Sequence, residues 1–150
     1  MSPKHFLSVG ILTLIAVSLA RGDDRRLPIT PKQWRPDVAA AIEWLEQDLQ
    51  ETKAQQGMNR LSRRIADLKD AQLFAVYIRL AEYLSVADRQ KLCQEQEHWL
   101  LAREKYAEEH VESHGGSLAP LEANNAEIEF TEKRIAELTK RLATYEHGKA

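Results

Sequence analysis

The chain of 150 residues has little cysteine, glycine or proline: one, six and five residues respectively. A lone cysteine closes no intrachain disulfide, so no disulfide framework holds this fold. Cys93 therefore reads as a buried core thiol, with an intermolecular bridge as the other reading. The few glycines and prolines form no low-complexity tract, and no internal repeat is evident. Formal net charge is only −2, which excludes general nucleic-acid binding. No segment alternates polar and apolar residues for long, and β-branched residues do not cluster, so no strand is expected. The expected fold class is all-α.

One apolar run is present, at the start. Phe6 to Ala20 carries no charge and follows Lys4. Small residues at Ser18 and Ala20 complete the pattern of a secretory signal peptide, cleaved after Ala20 or after Gly22. The run falls short of the roughly 20 residues that span a bilayer; an uncleaved anchor is the other reading. Without residues 1–20 the chain loses only Lys4 among its charged groups, and its net charge becomes −3. No membrane insertion of that mature chain is expected. Residues 21–35 read as an extended arm broken by Pro28 and Pro31. Residues 36–150 read as a single helical domain.

Pro36 can open a helix at its first position. Val38, Ile42, Leu45 and Leu49 then mark one helical face, and Gly57 is the expected stop. The next stretch runs from about Met58 to Leu84. Its stripe begins as Leu61, Ile65 and Leu68 and shifts to Leu73, Tyr77, Leu80 and Leu84. The slip near Asp70 reads as a kink or a break. Ser85 and Asp88 form a capping pair that starts another helix, 86–113. Gly115 and Gly116 end it, and a last helix covers 118–146, with Pro120 at its opening.

These last two helices carry seams of coiled-coil type. Leu92, Trp99 and Tyr106 are seven apart, as are Gln96, Arg103 and His110. Leu121, Ile128, Ile135 and Leu142 are seven apart, as are Asn124, Thr131, Leu138 and Tyr145. An antiparallel turn near residue 117 pairs positions summing to 234. The layers are Leu92 with Leu142, Gln96 with Leu138, Trp99 with Ile135, Arg103 with Thr131, Tyr106 with Ile128, and His110 with Asn124. Polar seam residues then meet polar ones at two layers, as buried polar groups require. Arg103 needs an acceptor there, from Thr131 or Glu127.

The stretch "HVESHGGS", residues 110–117, nearly reads as a zinc-protease helix. That motif needs glutamate directly after the first histidine, where this chain has Val111. No third ligand is evident. His110 falls on the seam, and His114 precedes the glycines, where a histidine suits the negative end of a helix. The stretch reads as a helix end and a turn, with no metal and no cofactor. No nucleophile elbow or phosphate loop occurs, so no enzyme activity is expected.

From Asp70 to Leu138 the ordered motifs resemble a known family. They are Asp70-x-x-Leu73, Tyr77, Leu84, Leu92, Gln96-x-x-Trp99-x-x-x-Arg103, Gly115-Gly116-Ser117 and Thr131-x-x-Arg134-x-x-x-Leu138. The family is the lysozyme inhibitor LprI-like N-terminal domain of bacterial envelope proteins. Phe74 stands where the family usually has asparagine. Tyr106 and Ala126 stand where it usually has two cysteines. Their joint loss fits a single missing bridge, worth roughly 2–5 kcal/mol in a small secreted domain. The resemblance implies a secreted or periplasmic binder, an inhibitor of lysozyme or another cell-wall lytic enzyme. The other reading is a non-catalytic structural or assembly module of the envelope. Asp70, Leu73, Tyr77, Gln96, Trp99, Arg103, Thr131, Arg134 and Leu138 read as structural.

Charge marks the candidate site. Residues 104–132, the tip half of the hairpin, hold eight acidic residues and one basic, a net −7. The base half, 86–103 with 133–150, holds eight basic and five acidic, a net +3. The candidate docking residues are Glu108, Glu109, Glu112, His114, Gly115, Gly116 and Ser117. Their expected partner is a cationic protein such as a lysozyme, since complementary charge speeds encounter.

Overall fold

The computed structural model describes residues 30, 31, 34, 36–113 and 115–147. The stretch expected to be a signal peptide, residues 1–20, and most of the expected arm, residues 21–35, lie outside the described residues. Four helices follow in order: α1 (Ala39–Glu51), α2 (Gln55–Tyr83), α3 (Val86–Glu109) and α4 (Ala119–His147). The fold is all-α, and no strand occurs among the described residues. No helix among them is long and apolar enough to cross a membrane.

The helix boundaries follow from local chemistry. Pro36 lies just outside α1, whose first residue, Ala39, donates its N–H to Asp37 Oδ1 at 2.9 Å. Gly57 is not the stop. Thr52 ends α1 in an extended conformation, its hydroxyl donating to the Asp48 carbonyl at 2.8 Å. Gly57 lies in the first turn of α2, where a Cβ would come within 2.8 Å of Thr52 Cγ2. This glycine serves close approach at the α1–α2 turn, a use that looks like a cap in sequence. At α3 the Asp88 N–H donates to Ser85 Oγ at 3.0 Å, as the capping pair predicts. Helix α3 ends at Glu109, four residues short of the expected Ser113. Pro120 occupies the first turn of α4.

Helix α2 runs unbroken past Asp70. The slip in its stripe marks a change of partner. Leu61 and Ile65 pack with Ile42 and Leu45 of α1, and with Ile128 of α4. Leu73, Leu80 and Ala81 pack with Leu92 of α3 and with Leu138 and Leu142 of α4. The main partner of α4 is α2 and not α3, which corrects the view of the 86–113 and 118–146 pair as the strongest element. The two run parallel, stitched by Arg63–Glu127 (2.7 Å), Lys69–Glu132 (2.6 Å) and Arg79–Glu146 (2.5 Å). Thr30 and helix α1 lie along α2 in the opposite sense. Thr30 donates from its N–H and hydroxyl to Glu82 Oε1, and Glu46 lies 3.4 Å from Lys69.

The antiparallel register of α3 and α4 holds at the base. Leu92 and Leu142 share one cluster, with Trp99 and Ile135 packed against it. Arg103 Nη1 donates to Thr131 Oγ1 at 3.3 Å. Toward the tip the faces rotate. Ile128 turns to the α1–α2 cluster, and Tyr106 meets Phe130 instead, with ring centroids 4.9 Å apart. His110 does not pair with Asn124. It is exposed and stacks on Tyr106 at 3.8 Å, while the Asn124 amide donates to Ser62 Oγ of α2 at 2.9 Å. Cys93 is exposed and not a core thiol.

Candidate functional site

The residues of the family-like motifs, apart from the Gly115-Gly116-Ser117 turn, converge where α2, α3 and α4 meet. Leu73 and Leu138 are buried in one cluster, with Tyr77 and Trp99 against it. Arg103 crosses all three helices. It donates to Asp70 Oδ1 at 2.5 Å and to Thr131, approaches Glu127 at 3.8 Å, and lies 4.9 Å over the Trp99 ring. Arg134 is buried. Its Nε donates to Gln96 Oε1 at 3.2 Å and its Nη1 to both Glu137 oxygens at 2.8 Å. Burial, then the neighbouring Cys93, raises the pKa of the Tyr77 phenol. These contacts hold three helices in register, which is the chemistry of an interior brace.

The tip is built differently. His110 closes α3 with its Nδ1 2.7 Å from the Tyr106 carbonyl. Gly115 takes φ +79°, in the left-handed region open to glycine, and the Gly116 N–H donates back to the Ser113 carbonyl at 2.8 Å. Glu122, in the first turn of α4, accepts from the Ser113 N–H (2.9 Å) and hydroxyl (2.6 Å). The Asn59 amide of α2 donates to the Ser117 carbonyl at 2.8 Å. The turn is thus pinned to two helices. Gly115, Gly116 and Ser117 are exposed; His114 lies outside the described residues.

The charges of the tip are not all available. Arg63 grips Glu127 and donates to Asn124, and Lys69 holds Glu132. Both bases come from α2, outside the stretch that carries net −7. The hydrogen bond that Arg63 donates to Glu127 raises the pKa of Arg63, and burial opposes it. Glu129 bonds Lys133 at 2.6 Å, which lowers its pKa. Glu109 lies 3.6 Å from Lys105. Glu104, Glu108 and Glu112 are exposed and have no basic partner among the described residues. The available negative charge therefore belongs to α3 and the loop that follows it. The hold of Asn59 and Arg63 on the tip has no local signal in sequence, because the tip residues they bond lie about sixty residues away.

Among the described residues no group of three His, Cys, Asp or Glu side chains could hold a metal ion. The model of a family described as lysozyme inhibitor LprI matches residues 46–138, from the second half of α1 to the middle of α4. No curated protein and no solved structure matches the chain.

Proposed function

This chain belongs to the lysozyme inhibitor LprI family, and on that premise we propose that it is a secreted or periplasmic binding protein that inhibits a lysozyme through its acidic tip. It acts by binding and not by catalysis. The observation that carries this reading is the set of exposed carboxylates, Glu104, Glu108 and Glu112, beside a pinned turn. Animal-type lysozymes are strongly basic, so opposite charge steers the encounter. Pinning by Glu122 and Asn59 lowers the ordering cost on binding. The Gly115-Gly116-Ser117 turn is exposed and open to contact. The brace around Arg103 and Arg134 holds the three helices that carry the tip.

The test is lysozyme inhibition by the purified protein and by a variant with Glu108, Glu109 and Glu112 changed to lysine. The variant should lose inhibition and keep its helical circular dichroism. Inhibition unchanged by the three reversals would remove the tip as the site.

A second reading, assembly with other envelope proteins, has its own observation. Trp34 and Phe74 are 71% and 65% exposed and flank an open apolar groove of about 700 Å³ along α2. Sedimentation of the purified chain separates the two: a monomer that inhibits supports the first, and an oligomer that does not supports the second.

A further inference from the structure

A second groove lies beside the acidic tip. It is an open hollow of about 500 Å³ between the tip half of α3 and the start of α4. Its apolar lining comes from Leu100, Leu101, Ala107 and Val111, with Ala123 from α4. It exists because α3 spends one face on α4 and has Leu92 as its one buried residue, while the first half of α2 packs on α1 and α4. The result is exposed leucine on a charged helix: Leu100 is 43% and Leu101 65% exposed. Glu104 and Glu108 line the same groove and lack a basic partner among the described residues. The one cation that lines it, Arg103, is already neutralised by Asp70 and Glu127. An apolar floor with an anionic rim fits one kind of ligand.

We propose that this groove docks a cationic amphipathic segment of the partner, with aliphatic or aromatic side chains against Leu100 and Leu101 and lysine or arginine side chains beside Glu104 and Glu108. The proposal deepens the reading of the tip and rests on it for the sign of the partner's charge. The tip supplies long-range attraction, which salt screens. The groove supplies contact area, which salt leaves intact. Specificity arises from the pair, because an anionic amphipathic segment meets like charge at the rim.

The experiment titrates the full chain, by calorimetry, with a synthetic amphipathic helical peptide of leucine and lysine, and with its leucine and glutamate counterpart. Two double variants accompany it, Leu100→Ser with Leu101→Ser, and Glu104→Gln with Glu108→Gln. All four side chains are exposed, so melting curves should stay close to that of the parent. The lysine peptide should bind and the glutamate peptide should not. The serine pair should weaken binding by roughly tenfold or more at every salt concentration, as loss of two apolar contacts implies. The glutamine pair should flatten the salt dependence. No binding of the lysine peptide, or binding unchanged by both pairs, overturns the groove. The same variants are then tested against chicken-type lysozyme. Groove binding without lysozyme inhibition would sink the proposed function and leave the groove standing. Lysozyme inhibition that is lost on reversing Glu108, Glu109 and Glu112 but indifferent to the serine pair would sink the groove alone.

Discussion

Replacing Arg103 with alanine removes one side chain from three helices at once. Its guanidinium donates to Asp70 of α2 and Thr131 of α4, approaches Glu127, and covers Trp99. The losses are unequal. Asp70 is about half exposed, so water replaces much of what it gives up. Glu127 keeps the two bonds from Arg63. Thr131 is the sensitive partner, at 1% exposure. A buried acceptor left without its donor costs about 1–3 kcal/mol. Taking the middle of that range, about 2 kcal/mol, and adding up to about 1 kcal/mol for the discounted Asp70 pair and the lost cover over Trp99 gives about 2–3 kcal/mol. For a chain of this size that is a fall in melting temperature of roughly 5–12 °C. Thermal and urea melts followed by helical circular dichroism measure it. Arg103→Lys should recover part of the loss, since it keeps the charge and forfeits the fork. A melting temperature unchanged in Arg103→Ala would refute the brace, and would turn Arg103 into a candidate for binding.

Other outcomes follow from single sites. Leu138 is fully buried between α2 and α3, so Leu138→Ala should cost about 2–5 kcal/mol in a urea melt. Gly115→Ala should cost roughly 1–2 kcal/mol by the same measure. A Cβ there meets nothing within 4 Å, so the penalty is the left-handed backbone alone. Lys69 is partly desolvated, which lowers its pKa, but Glu132 and Glu46 outweigh this and raise it. A raised folded pKa gives stability that is complete below the unfolded value and lost as pH climbs through the folded one. Burial raises Tyr77 in the same sense. Stability should therefore fall above about pH 10, and Lys69→Met should make that fall shallower in melts taken across the alkaline range.

What the sequence revealed was what is local or periodic. The Ser85–Asp88 cap acts within one turn, so it was legible. Seven-residue spacing gave the register of α3 on α4 at Leu92, Trp99 and Arg103. The same spacing assigned Ile128 and Asn124 to the α3 face, but both turn to α2 and α1. Periodicity marks an apolar face and does not say which neighbour claims it. The parallel partnership of α2 with α4 has no signal, because the slip in α2's stripe reads as a kink or a break where the continuous helix only changes partner. At the tip the carboxylates were countable but their pairing was not. Glu127 and Glu132 are claimed by Arg63 and Lys69 of a distant helix, and Glu122 turns inward to Ser113. Leu100 and Leu101 lay off the seam and so appeared ordinary until the groove showed what they line.

Capture of a cationic lysozyme by an acidic tip is an electrostatic encounter, and salt tests it. The most direct measurement is the dissociation constant of the full chain with chicken-type lysozyme across a salt series from roughly 10 mM to 0.5 M, over which the screening length contracts several-fold. The account predicts tight binding at low salt that weakens steadily as salt rises, mainly through the association rate. The variant with Glu108, Glu109 and Glu112 changed to lysine should show no binding at any salt. Binding that is indifferent to salt and survives the triple reversal would contradict the account.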